Sequence, residues 1–323
     1  MTDLVTFGEA LLRLSPPRGD RLETADTFAV GVGGPESNVA VGAARLGTNA
    51  VWLSKLPDSP HGNRLAGELR RHGVRTGVAW TDPAESRAGV AYLERGGDPR
   101  GPTVHSDRAG TAFTTVRPGE LPTEVFESAT AFHVSGVTPA LSSTTAETTA
   151  ALLSAAGDAD VTRSLDLRYR ASLWSPDEAR AAYETLFPDV DRLFVPRRDA
   201  IDVLGAEGNA VEIAHGLETE FDFETVVVTR HDDSALAIHD DSVYEQDAYT
   251  ADTVEESGAM DAFVAGYLAK RLDDAAVQEA LKWAAATAAL KRTIDGDLPV
   301  VTVDEVERVV SDEHDVTGEP VRR

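Results

Sequence analysis

Cysteine is absent from the 323-residue chain, which excludes disulfides and thiolate-ligated metal centres. Long apolar runs are missing too: nothing approaches the ~20 consecutive apolar residues that a membrane span requires. The opening, Met1-Thr2-Asp3-Leu4-Val5, has no basic segment leading into an apolar stretch, so no secretory leader is expected and a cytoplasmic setting is. Lysine is scarce. Only Lys55, Lys270, Lys282 and Lys291 occur among 30 basic residues, against 55 acidic ones, and the formal net charge is −25. So little positive charge leaves no basic footprint for a phosphate backbone, and nucleic acid is not an expected partner.

What is present suits a globular enzyme. Hydrophobic residues at 42% and charged residues at 26% are ordinary proportions for a folded soluble chain. The length allows one large or two ordinary domains around a substantial core. An acid excess of this size repels itself in dilute buffer, whereas salt at ~1 M screens charges beyond about 3 Å. The acidic, lysine-poor composition resembles that of proteins from salt-accumulating halophiles; a merely acidic mesophilic chain is the alternative.

Apolar periodicity organises the chain. Short runs at 4–7, 50–53, 131–134, 192–195 and 225–228 read as buried strands, and helical spacing separates them at 39–46, 63–72, 146–156 and 175–186. A further helical pattern covers 275–292. Strands alternating with helices imply an α/β fold with a parallel sheet covered on both faces. Two Gly-richer segments, about 10–32 and about 86–113, carry no helix pattern and alternate like antiparallel strands, as in Gly89-Val90-Ala91-Tyr92-Leu93. They read as excursions from the main sheet that pair into a small flap. From Asp312 onward the chain is polar and is expected to fray.

The stretch Ser257-Gly258-Ala259-Met260-Asp261-Ala262-Phe263 sets small residues and one carboxylate at the start of an apolar-periodic segment. Ser257 is placed to cap a helix whose free first-turn N–H groups would face an anion. Asp261 would lie in that first turn, where a carboxylate can take a proton from a hydroxyl attacking a phosphate. An ordinary capped helix with a solvated Asp is the alternative on these residues alone.

The segment also resembles the C-terminal signature of the ribokinase-like (PfkB) sugar kinases, usually Asp-Thr-Thr-Gly-Ala-Gly-Asp-Ala-Phe. Gly33-Gly34-Pro35-Glu36-Ser37-Asn38-Val39-Ala40, followed by Ala43-Ala44-Arg45-Leu46-Gly47, resembles their N-terminal signature. The resemblance spans nearly the whole chain. It implies a single kinase domain over 1–323, a doubly wound α/β/α sandwich with a β lid drawn from the two Gly-richer segments. Lids of such kinases often pair between subunits, so a homo-oligomer is expected. Asp166-Leu167-Arg168-Tyr169-Arg170-Ala171-Ser172-Leu173-Trp174-Ser175 looks like the Asp-x-Asn-x-Arg-x-x-Leu-Trp segment of 2-keto-3-deoxygluconate kinases.

That resemblance implies transfer of the γ-phosphoryl of ATP to the terminal hydroxyl of the sugar acid, with the galactonate epimer as a further substrate. Asp261 is then the base, and Gly258, Ala259 and Met260 supply the anion hole. Gly34 and Asn38 meet the sugar, with Tyr92 as a lid residue. Arg108 and Arg170 meet its carboxylate or a phosphate, because a guanidinium fork binds such groups bidentately. Arg168, Arg170, Thr229, His231 and Ser234 fall on the nucleotide side. Mg²⁺ rides on the ATP phosphates and needs no protein metal site. Taken singly, each arginine is equally a surface ion pair in so acidic a chain.

Several positions depart from the family pattern. Met260 replaces the second glycine, Arg168 replaces the Asn, and Pro196-Arg197-Arg198-Asp199 stands at the Asn-x-x-Glu motif. Val228 to Ala235 lacks the usual Gly-x-x-Gly of the nucleotide segment. Lost glycines forfeit positive-φ turns. The alternative readings are a sugar-acid-binding relative with a weakened nucleotide site and a regulatory role, or a kinase for a neutral sugar.

Overall fold

The computed structural model describes residues 2–312; beyond Asp312 the expected frayed end lies outside the described residues. In chain order the strands are β1 (Leu4–Phe7), β2 (Leu11–Ser15), β3 (Ala29–Gly33), β4 (Ala50–Pro57), β5 (Arg75–Thr81), β6 (Gly89–Arg95), β7 (Pro102–Asp107), β8 (Ala131–Ser135), β9 (Thr162–Asp166), β10 (Arg192–Pro196), β11 (Thr225–Thr229), β12 (Ala235–His239) and β13 (Ser242–Gln246). The helices are α1 (Pro35–Arg45), α2 (Pro60–Arg71), α3 (Ser143–Asp158), α4 (Pro176–Leu186), α5 (Arg197–Asp202), α6 (Ala210–Phe221), α7 (Ala259–Leu272), α8 (Val277–Arg292) and α9 (Val303–Asp312).

Among the described residues one sheet has the order β13-β12-β11-β10-β9-β8-β1-β4-β5 and a second has β3-β2-β6-β7. From β5 through β1 to β11 the first sheet is parallel. It ends in an antiparallel hairpin, β11-β12-β13, which the simple βαβ reading did not include. Strand alternation covers both faces. Val226 and Val228 point into one core with Leu193 and Val195, and Val227 and Phe194 point into the other. The first core takes apolar residues of α3, α4 and α6, the second those of α1, α7 and α8.

The flap is real, but its pairing differs from the expectation. β2-β3 and β6-β7 are antiparallel, whereas the central pair β2-β6 is parallel. The reason is directional: β2 and β6 follow β1 and β5, which run the same way in the main sheet.

α1, α2 and α3 begin upstream of their apolar spacing, and α4 at its expected start, because caps and prolines set where helices begin. Ser59 Oγ accepts from Gly62 N–H at 3.2 Å ahead of Pro60. Ser175 and Glu178 cap each other's backbone ahead of Pro176. α1 ends where Thr48 N–H donates to Ala43 O at 3.0 Å around Gly47, at φ 95°, a glycine-terminated reverse turn.

Strand order reverses beside β1: the chain passes to β4 and β5 on one side and resumes with β8 and β9 on the other. Crevices for ligands form at the carboxyl ends of strands at such a point.

Candidate active site

The head of α7 lies in that crevice. Its N-cap is Gly258, at φ 81° and without a side-chain cap. Ser257 therefore does not cap the helix; its own N–H is drawn to Glu255 Oε1 at 3.3 Å. Only glycine fits at 258, because a Cβ there would collide with the backbone carbonyl of Asp297. The expected cradle of the Gly258, Ala259 and Met260 amides changes by one member, Asp261 standing in for Ala259. Ala259 N–H is spent on Glu256 O at 3.1 Å, while among the described residues the N–H groups of Gly258, Met260 and Asp261 have no protein acceptor. Three unpaired amides at a helix start make an anion site.

Asp261 is 3% exposed in the first turn of α7. Asn38 Nδ2, on α1, donates to its Oδ2 at 2.6 Å, and Arg168 Nη1 pairs with its Oδ1. Arg168 Nε also donates to Asp166 Oδ2 at 2.8 Å. Burial pushes the Asp166 carboxyl up to about 6, with Arg168 pulling the other way. Burial opposes charge on Arg168 as well, but Asp166 and Asp261 outweigh it and hold the guanidinium ionised. Glu36 lies deeper, fully buried; it accepts from Ser135 N, Ser135 Oγ and Thr138 Oγ1 at 2.7–2.8 Å and so ties the start of α1 to the end of β8. Its carboxyl is raised by burial, against those three donors.

Two cavities flank the α7 turn. The first, about 210 Å³, is lined by Gly34, Asn38, Arg108, Arg168, Arg170, Gly258 and Asp261, with Ala91, Val104 and Ser106 from the flap. Gly34 is needed for close approach, since a Cβ would strike the Glu9 carbonyl. Arg108 is braced by Glu9 at 2.7–2.8 Å, and Thr111 Oγ1 donates to the same carboxylate at 2.6 Å. Arg170 is exposed, and its one hydrogen bond among the described residues is long, 3.5 Å to Tyr169 O.

Tyr92 does not line this cavity. Its neighbour Ala91 does, so period-2 alternation turns Tyr92 to the other face of the flap, edge-on against Phe28 at 6.5 Å. Arg13, buried on β2, joins the flap to the turn by pairing with Glu255 at 2.6 Å and with Asp297.

The second cavity, about 230 Å³, is lined by Thr229, Arg230, Asp233, Ala259, Met260, Phe263, Ala285, Ala288 and Arg292, with Pro196 and Ala248. Met260 points here, partly buried against the core of α7 and α8, so its side chain lies outside the first cavity. Arg168 lines the first cavity and not this one, which separates it from the nucleotide-side group in which the sequence placed it. Arg170 likewise belongs to the first. Ser234 is turned into its own hairpin, Oγ donating to Asp232 Oδ1 at 2.6 Å. His231 lines an adjoining cleft with Arg197, Arg198 and Thr229.

Arg230, Arg292, Asp297 and Glu9 were not singled out by the sequence. Arg292 ends an apolar-patterned helix, where a cation ordinarily just complements the dipole. Asp297 carried one local signal, the Asp295-Gly296-Asp297 turn.

An acid at an amide-lined helix start, with a cavity on either side, is suited to passing an anionic group between two bound molecules, as a phosphotransferase does. The chain belongs to the pfkB family of carbohydrate kinases, whose family model matches residues 1–299. The doubly wound α/β/α architecture is that of ribokinase-like kinases. A Haloferax volcanii protein named 2-dehydro-3-deoxygalactonokinase is 54% identical over 95% of this chain and 96% of its own length. The crystal structure of 2-dehydro-3-deoxygluconokinase from Thermotoga maritima superposes with TM-score 0.91 at 32% identity, covering 96% of this chain and 98% of that one. A Bacillus velezensis 5-dehydro-2-deoxygluconokinase is 26% identical over 98% of this chain and 96% of its own length. Among the described residues no helix is long and apolar enough to cross a membrane.

Proposed function

We propose that the chain transfers the γ-phosphoryl group of Mg·ATP to the terminal hydroxyl of a 2-keto-3-deoxy sugar acid, either 2-keto-3-deoxygluconate or its galactonate epimer. The observation that carries this reading is the α7 turn, where Asp261 and three unpaired amides stand between a cavity bearing Arg108, Arg168 and Arg170 and a second, more apolar one. Arg108 and Arg168 already pair with protein carboxylates, but a neutral sugar gives Arg170 nothing to pair with, whereas a sugar carboxylate does. The relatives named for these two substrates support the same class, and the 54% identity favours the galactonate epimer.

In this reading the sugar acid enters the first cavity under the flap. Arg170, without a carboxylate partner among the described residues, meets its carboxylate, with Arg108 beside it. Asn38 holds Asp261 while the carboxylate takes the proton of the attacking hydroxyl. The polyphosphate reaches the turn from the second cavity, lined by Arg230 and Arg292, which pair there with Glu245 and Asp233. The amides of Gly258, Met260 and Asp261 stabilise charge developing on the transferred group. Mg²⁺ would be carried on the ATP phosphates, keeping several waters. A closed flap excludes water and suppresses ATP hydrolysis.

A coupled assay in molar KCl with ATP, both epimers, and fructose and ribose as controls tests the reading. Phosphorylation of a neutral sugar and of neither acid refutes the substrate class. Asp261→Asn is expected to lower kcat by roughly 10²–10⁴-fold with modest loss of binding; full activity in that variant removes Asp261 from the role of base.

A further inference from the structure

Arg168 holds φ at 41°, and among the described residues it is the one non-glycine residue other than aspartate at positive φ. Such a conformation persists where neighbours over-determine it. The neighbours here are two buried carboxylates: Arg168 Nε donates to Asp166 Oδ2 at 2.8 Å, and Nη1 pairs with Asp261 Oδ1. Asp166 and Asp261 are 2% and 3% exposed. Asn38 holds the other oxygen of Asp261 at 2.6 Å. The terminal torsion of an aspartate is intrinsically broad, so a carboxylate gripped at both oxygens is one whose orientation the protein sets. A guanidinium fixed by a second carboxylate is a rigid planar clamp, which asparagine or lysine could not reproduce.

We infer that Arg168 is a positioning residue for Asp261, with Asp166 as its anchor: the Asp166–Arg168–Asp261 relay aims the base at the substrate hydroxyl. The inference rests on the phosphotransfer reading above. It also makes Arg168 a residue that raises kcat without binding nucleotide, in keeping with its place in the first cavity and not the second.

The test compares wild type with Arg168→Gln, Asp166→Asn, and Arg168→Ala with and without millimolar guanidinium ion, all in molar KCl. Arg168→Gln is expected to lower kcat about 10²-fold, the cost of a base misplaced by roughly an ångström, with the KM for ATP within about threefold of wild type. Asp166→Asn, which leaves the clamp but frees its anchor, lowers kcat less and spares the same KM. Guanidinium restores part of the turnover of Arg168→Ala, which a purely structural role does not predict. If the single Arg168 variants fail to fold because two carboxylates are left unpaired, Asp166→Asn/Arg168→Gln removes the Asp166 charge together with that of Arg168, leaves only Asp261, still held by Asn38, and is expected to show the same kcat loss. Unchanged kcat, or a raised KM for ATP at full kcat, overturns the inference alone. A wild type without turnover on either sugar acid sinks the phosphotransfer reading and this inference with it.

Discussion

Replacing Gly258 with alanine tests the amide cradle without touching any charged group. Two penalties can be separated. The first is conformational: φ is 81°, and an L side chain in the left-handed region costs about 1–2 kcal/mol, of which roughly 0.4–1 kcal/mol is returned by the less flexible unfolded chain. The second is collision. The new Cβ would strike the Asp297 carbonyl oxygen, with the carbonyl carbon only 3.0 Å away, and a backbone obstacle cannot rotate aside. Overpacking of that kind costs about 1–3 kcal/mol, so the variant should lose about 1–4.5 kcal/mol in all.

Relief requires the turn to move by roughly an ångström, and a displacement of that size costs on the order of 10²-fold in kcat/KM. Gly47→Ala is the control. Its φ is 95° with nothing within 4 Å of the added Cβ, so it should show the conformational cost alone and full activity. Urea unfolding and initial rates in the coupled assay read both quantities. If Gly258→Ala keeps kcat/KM while Gly47→Ala is equally destabilised, the Asp297 contact sets nothing and the cradle argument fails.

The arginines of the first cavity should separate by their partners. Arg170→Gln is expected to raise KM for the sugar acid about 10-fold or more, the value of a charge-assisted hydrogen bond, with little change in urea midpoint; an unchanged KM removes Arg170 from substrate binding. Arg108→Gln leaves the buried Glu9 carboxylate unpaired, so it should lower the urea midpoint as well as affinity. His133, buried on β8 with Nδ1 against Ser164 Oγ of β9, has its imidazole pushed down to about 3 by burial and then by Arg168. Below pH 6.5 the unfolded chain takes a proton that the folded one refuses, so the stability contributed by neutral His133 is lost as pH falls. Between pH 6.5 and 4.5 that loss is about 2 kcal/mol, and the stability gap between wild type and His133→Asn should narrow by that amount; a gap independent of pH contradicts it. Finally, the net charge of −25 predicts a Tm that rises between 0.1 and 2 M KCl, and a flat or falling Tm refutes self-repulsion as the governing electrostatic effect.

The sheet strands and the α7 turn were legible because their signals are local. Apolar runs such as Thr225-Val226-Val227-Val228 mark strands buried on both faces, and small residues ahead of Asp261 mark a helix start. Helix beginnings were less legible, since apolar spacing records only the buried stripe, and Pro35 or Pro60 starts the helix a turn earlier without being part of that stripe. The parallel β2-β6 pair was not legible from alternation at all, because alternation fixes which face a residue takes and not the direction of its neighbour. Partners were hidden most completely. Nothing beside Arg13 in sequence points to Glu255 and Asp297, more than 240 residues on, and nothing beside Glu9 points to Arg108. Tyr92 went astray by one residue in a strand, which is a whole face.

The missing glycines of the nucleotide segment have a physical substitute. Aspartate tolerates the left-handed region better than other side chains because its carboxylate bonds to nearby backbone, and Asp160, Asp222, Asp233, Asp240, Asp241 and Asp274 all occupy positive φ here. Asp233 does so at φ 62° in the β11-β12 turn, inside the stretch where glycines were expected, while Asp232 takes the N–H and hydroxyl of Ser234 at 3.1 and 2.6 Å. The turn therefore closes without glycine, and Arg230 donates its N–H to Ser234 O at 2.8 Å across it. Part of the acid excess that marks the composition thus serves as turn chemistry. The negative charge this brings to the cavity is met by Arg292, which pairs with Asp233. If this cavity takes the nucleotide as proposed above, close backbone approach has been exchanged there for a paired acid and base.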